Sequence, residues 1–215
     1  MSDEEIVATP PAPRNTPHEN IFLLLVKFQS FPTFSSYVHT TSMDNTTITR
    51  LWLAVSLVGS PVVMTAIALL VTGVLVAQQR RVTAAGGIVT QGGGAIINEA
   101  LKQLIHEPRP LGAELYLYGH SWSFPSGHAM GSLIGYGFLT YVIVVCWSAK
   151  RRTHVLAVAT ALIVILTIGI SRLALGVHYV NDVLGGWAFG AMWLTVCILV
   201  LQRIARAEHR SSATE

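Results

Sequence analysis

Five long stretches almost free of charge, at residues 51–77, 83–105, 127–147, 155–170 and 183–201, constrain this chain more than anything else in it. A helix needs about 20 apolar residues to cross the hydrocarbon of a bilayer, and these stretches sit close to that length. Composition agrees, because 52% of the 215 residues are hydrophobic and only 12% are charged, where a soluble domain carries about 25%. The expected fold is all-α, a polytopic membrane helical bundle with about five transmembrane helices and an N-terminal interfacial segment. Gly59-Ser60-Pro61 interrupts the first stretch, and proline belongs at a helix start, so the first span is expected to begin at Pro61 and end near Gln78. The second stretch is weakly hydrophobic. Its Gly86, Thr90 and Gly94 form a small-residue ridge for close helix packing, which predicts a helix surrounded by protein rather than lipid.

The remaining segments divide the chain. Residues 1–20 are acidic and proline-bearing and read as a disordered tail, and 21–50 read as an interfacial segment. Residues 51–203 form the membrane domain and 204–215 a cytoplasmic tail. Cys146 and Cys197 lie inside apolar runs and act as small hydrophobes. The net charge of +3 gives no nucleic-acid surface, because the basic residues fall in short clusters beside the apolar runs. An up-and-down topology puts Arg80-Arg81, Lys150-Arg151-Arg152 and Arg203, Arg206 and Arg210 on one face, which is then cytoplasmic. The chain is thus expected to be a multi-pass protein of the plasma (inner) membrane, with residues 102–128 and 171–182 on the extracytoplasmic side.

Those opposite ends carry three motifs. Lys102 and Arg109-Pro110 are separated by six residues; they are either interfacial cations reaching for water or charges with a partner or a task at the end of the span. Pro125-Ser126-Gly127-His128 opens a span and is either an ordinary capping turn or an anion site at a helix N-terminus. In Ser171-Arg172-x5-His178-x3-Asp182, His178 and Asp182 are one turn apart if helical. Asp182 then either caps a positive helix end or holds one imidazole nitrogen and leaves the other free to attack. Nearby, Glu99 is placed to pair with Lys102 at i+3 as structural support.

Taken together and in this order, the three motifs resemble the signature of the type 2 phosphatidic acid phosphatase (PAP2) superfamily, and the membrane-embedded lipid phosphatases in particular. The resemblance implies a phosphatase that forms a phosphohistidine at His178, with Asp182 fixing its tautomer and His128 protonating the leaving oxygen. It also implies that Lys102, Arg109, Arg172, Ser126 and Gly127 bind the phosphate. Three fixed cations would neutralise the charge that magnesium neutralises elsewhere, so no metal or other cofactor is expected.

The expected substrate is a lipid monophosphate or diphosphate such as phosphatidate, phosphatidylglycerophosphate or polyprenyl diphosphate, reached from the surrounding membrane lipids. A lipid phosphotransferase using the same site and an inactive lipid-binding relative are the competing readings. The motifs do not separate the first from hydrolysis, and a pure binder has no need of two histidines. Oligomeric state is left open by the sequence.

Overall fold

A computed structural model describes residues 46–110, 113, 121–147 and 150–211, all within one compact unit of the chain. The tail at 1–20 and most of the segment at 21–50 lie outside the described residues. Those described form helices and no strand: α1 (Thr46–Val58), α2 (Pro61–Ala77), α3 (Arg81–Ile105), α4 (Gly127–Val142) continued by a π turn (Ile143–Trp147), α5 (Arg151–Ala174) and α6 (Val180–Ser211). Among the described residues four stretches are long and apolar enough to cross a membrane: Thr47–Ala77, Gly127–Trp147, Arg151–Ala174 and Val180–Ala207. With the 25 residues of α3, long enough but too rich in glycine and polar side chains to pass on hydropathy, they make the expected polytopic bundle.

The first span differs from the expectation in one respect. Helix α2 does begin at Pro61, where Ser60 Oγ caps it by accepting from Val63 N at 3.3 Å, and it ends at Ala77. Yet α1 also packs inside the bundle. Tyr136 Oη donates to Val58 O at 3.0 Å, Arg172 donates to Ser56 Oγ, and a Cβ at Gly59 would sit 2.4 Å from Ile168 Cγ2. Residues 46–77 are therefore one span bent at Gly59-Ser60-Pro61. Proline removes a backbone donor there, and the missing glycine side chain lets the bend press against α5.

Helices α4 and α6 approach most closely. A Cβ at Gly186 would stand 2.8 Å from Ser126 O and 3.2 Å from Met130 N, so α6 lies against the backbone at the start of α4. The ridge on α3 behaves as its spacing predicts: Gly86 faces Leu201, and Gly94 faces Ile134. The expectation that protein surrounds α3 is not met. Ile88, Val89, Ile96 and Leu104 lie on its other face and are 57–75% exposed, so α3 has one packed side and one lipid-suited side. Glycines gathered on one stripe leave the larger apolar residues to point away from it.

The two ends of the bundle differ in chemistry. At one end Trp147 Nε1 donates to Gln78 Oε1 at 2.9 Å and Arg80 reaches Cys146 O at 3.4 Å, over a core of Val71, Leu75, Ala84, Phe138, Val142 and Leu201. This end holds the basic clusters. At the other, Ala113, Leu175 and Val177 pack with Trp52 beneath the three motifs.

Candidate active site

Each motif is delivered by a helix end. Helix α3 stops at His106, whose backbone is left-handed (φ 53°), so Lys102 lies in its last turn and Arg109 in the segment beyond. Helix α5 ends at Ala174, and beyond it Gly176 has φ 64° while Val177 N donates back to Arg172 O at 3.2 Å. This closure needs the left-handed conformation that glycine adopts without strain, and it turns Val177 and His178 back over the bundle. Ser126 caps α4, with its Oγ accepting from Ala129 N at 3.5 Å, and its own N–H donates to Asp182 O at 2.9 Å. That last bond ties the second motif to the third through backbone.

His178 is the centre of the arrangement and is only 2% exposed. Its Nδ1 is 3.2 Å from Asp182 Oδ2, and its Nε2 is 3.2 Å from an Arg109 Nη. A guanidinium can only donate, so Nε2 must accept and the ring proton sits on Nδ1, facing the carboxylate. Burial pushes the imidazole down to about 4, with Asp182 opposing that shift and Arg109 and Arg172 adding to it. The ring is therefore neutral at pH 7, with its Nε2 lone pair turned towards the cations. His178 lies two residues before the start of α6, and Asp182 Oδ2 also accepts from Tyr179 N at 2.9 Å. The capping role and the imidazole-holding role thus belong to the same carboxylate, as in the return half of a capping box.

The cations surround this ring. Arg109 donates to Ser121 O and Ser121 Oγ, each at 2.8 Å, to Val177 O at 2.9 Å and to Trp122 O at 3.3 Å, and Lys102 also donates to Trp122 O. Burial lowers the Arg109 guanidinium from its ordinary range, with Asp182 opposing the shift. Arg172 is 4% exposed and donates to Ser56 Oγ; among the described residues its buried Nε meets no acceptor. An unpartnered buried guanidinium N–H is costly, and an anion would satisfy it. His128 occupies the first turn of α4, half-buried, within electrostatic reach of Arg172, His178, Arg109 and Lys102. Gly127 opens that helix beside Asn98, whose Nδ2 donates to Pro125 O at 3.3 Å.

All eight residues singled out from sequence therefore gather at one end of the bundle. Glu99 does not pair with Lys102 by hydrogen bond; it accepts from Gln103 Nε2 at 2.7 Å, one helical turn on. Two residues escaped the sequence reading. Ser123, fully buried, donates to Asp182 Oδ2 and stands 3.3 Å from His178 Nδ1, and Ser56 holds Arg172. Among the described residues no three His, Cys, Asp or Glu side chains cluster as a metal site would require.

The family model for the PAP2 superfamily matches residues 82–206. Phosphatidylglycerophosphatase B of Bacillus subtilis (strain 168) is 38% identical over 99 residues, which are 45% of this chain and 47% of that protein, so the match spans about half its length. The fold also superimposes on the crystal structure of the first transmembrane PAP2 type phosphatidylglycerolphosphate phosphatase from Bacillus subtilis. The TM-score is 0.73 at 22% identity, covering 86% of this chain and 94% of the other, a likeness of fold alone. Because the family model takes in more than half of the sequence and all three motifs fall inside its limits, this chain belongs to the PAP2 superfamily.

Proposed function

We propose that this protein is a membrane-embedded lipid phosphate phosphatase that works through a phosphohistidine at His178. The observation that carries the proposal is a single buried imidazole held between a carboxylate on Nδ1 and a guanidinium on Nε2, each at 3.2 Å. A neutral ring with its lone pair directed at a cation cluster is a nucleophile aimed at an anion.

When a phosphate enters, Arg109 turns its N–H groups from Nε2 and the loop carbonyls to the phosphate oxygens. Lys102 and the unpartnered Nε of Arg172 complete the clamp, and Ser126 with the backbone N–H of Gly127 adds neutral donors at the α4 N-terminus. Nε2 then attacks phosphorus and the bond to the lipid oxygen breaks. Its electron pair goes to that oxygen, which takes a proton from His128. Asp182 stabilises the charge left on the His178 ring. A water then attacks the phosphorus, giving its proton to His128, and the P–N bond breaks to release inorganic phosphate and restore neutral His178. The cations act by positioning and charge neutralisation, the main requirements of phosphoryl transfer.

Phosphatidylglycerophosphate is the first substrate to test, because the relative matched over about half its length is named for it. Purified protein in excess chelator is expected to release inorganic phosphate from phosphatidylglycerophosphate or phosphatidate, and His178→Ala is expected to abolish release while keeping its thermal transition. Undiminished turnover in that variant, or turnover only with added metal, would overturn the mechanism. The same assay run with an acceptor alcohol separates hydrolysis from transfer by its products.

A further inference from the structure

A groove of about 410 Å³ runs between α3 and α6 in the half of the bundle away from the candidate site. Its floor is where the two helices touch: a Cβ at Gly86 would stand 2.5 Å from Leu201 Cδ2, and one at Gly93 would stand 2.4 Å from Trp193 Cζ2. Val89, Val196 and Val200 line it and are 48–58% exposed, so it opens to the outside of the bundle. The polar groups in its wall are already engaged. Thr90 Oγ1 donates to Gly86 O at 2.6 Å, and Trp193 Nε1 donates to Thr90 O at 2.9 Å. A polar ligand lying along the groove would lose its hydration and gain no bond, whereas a hydrocarbon chain loses nothing there.

Charge stands at one end only. Arg81 and Arg203, both exposed, directly precede the lining residues Val82 and Ile204. Arg81 comes five residues before Gly86 and Arg203 two after Leu201. At 1.5 Å per residue both lie about 3 to 8 Å beyond the contact of that glycine with that leucine, and on the same side of it. From Arg203 the groove descends ten residues to Trp193, about 15 Å, half of a hydrocarbon core about 30 Å thick. With a methylene taken at roughly the 30 Å³ of a water, the space holds about fourteen of them. That is one acyl chain, one leaflet long, with two guanidiniums at its head.

We infer that this groove binds an anionic glycerophospholipid of the leaflet at the basic end of the bundle, one acyl chain lying between α3 and α6 and the phosphate between Arg81 and Arg203. This lipid is bound, not turned over, because His178 and the other site residues are at the opposite end. A second copy of the chain suits the groove less well. Symmetric partners in a bilayer share orientation and depth, so a two-fold contact here would set these arginines against their own copies.

Trp193 supplies the readout, since bromine on a lipid chain quenches an indole that it touches. The full chain is placed in phosphatidylcholine bilayers containing increasing fractions of phosphatidylglycerol or phosphatidylcholine dibrominated at mid-chain. The Trp193 component is the emission lost in Trp193→Phe. Half-quenching of that component is expected at a fraction of brominated phosphatidylglycerol at least tenfold lower than of brominated phosphatidylcholine. Arg81→Gln and Arg203→Gln are each expected to weaken the preference about fivefold. Arg152→Gln, an equally exposed cation at the start of α5, is the control and should leave it unchanged. Ala85→Leu, which puts a larger side chain into the groove, is expected to remove the preferential quenching. Both groove arginines are exposed, so their variants keep the test valid even where Ala85→Leu fails to fold. Equal quenching by the two lipids overturns the anionic assignment. A preference that Arg152→Gln weakens as much as the groove variants, or that survives in folded Ala85→Leu, belongs to the basic surface at large and overturns the site. A Trp193 component that neither lipid quenches leaves the groove to a second copy and overturns the inference.

Discussion

The oxygen that His178 faces is shared three ways. Asp182 Oδ2 lies 3.2 Å from the ring Nδ1, accepts from Tyr179 N at 2.9 Å, and accepts from the Ser123 hydroxyl. Ser123 also stands 3.3 Å from Nδ1, so it fixes the carboxylate and the ring relative to each other. Ser123→Ala is expected to lower kcat by about tenfold to hundredfold, the cost of one lost bond to a buried charge, and to leave KM nearly unchanged. A raised KM at constant kcat would place Ser123 in binding instead. Acidity supplies a second check. Burial holds folded His178 near 4, below its ordinary 6.5, so the ring gains a proton only as the pH falls towards 4. The acid limb of kcat/KM is then expected near pH 4, with activity level between about pH 5 and 7 so far as this group is concerned. In Asp182→Asn the limb moves lower still, because the carboxylate that raised the value is gone, while kcat falls with loss of the tautomer. At this scale the sequence showed the charged and imidazole groups because their spacing is fixed within motifs. It hid Ser123 and Ser56, whose partners are 59 and 116 residues away and follow no local spacing.

Helix ends and helix contacts decide whether those residues meet. The meeting of elements at Gly186 of α6 is against backbone: Ser126 O and Met130 N belong to the turn that opens α4. A side chain facing such a contact could rotate away, but a carbonyl at the start of a helix moves only with the helix. Gly186→Ala is therefore expected to lower the thermal transition by several degrees and, by tilting the α4 N-terminus that carries Ser126, Gly127 and His128, to raise KM for the phosphate substrate. Gly73→Ala, with open space around it, serves as control and should be neutral or stabilising. A Gly186→Ala protein as stable and active as wild type would mean that the two helices are not held as closely as described. Small residues at intervals of four announced this kind of packing in the sequence, but not which ridge meets which neighbour. The bend at Gly59-Ser60-Pro61 was legible as a break, yet not as a break inside the bundle. What keeps α1 in place is contact with Tyr136 and Arg172, both far along the chain.

Taken as a whole, the molecule separates its basic turns from its candidate site by the full length of the helices, since Arg80 meets Cys146 at one end and Arg109 meets His178 at the other. Lysine and arginine beside spans are retained on the cytoplasmic side, so the site end is expected to face away from the cytoplasm. This follows from charge distribution alone and is open to direct measurement. Cys146 and Cys197 are the sole native thiols. With both replaced by serine, a single cysteine at the exposed Gln103, in the last turn of α3, reports on the site end, and one at the exposed Arg81, in the first turn of the same helix, reports on the other. In intact cells a membrane-impermeant maleimide is expected to label Gln103→Cys and to leave Arg81→Cys unmodified until the membrane is opened. The reverse pattern would put the phosphate clamp in the cytoplasm and require the lipid to enter from the inner leaflet. Because both probes lie on one helix, labelling of both in sealed cells would contradict a spanning α3, which makes the experiment a test of the bundle as well as of its direction.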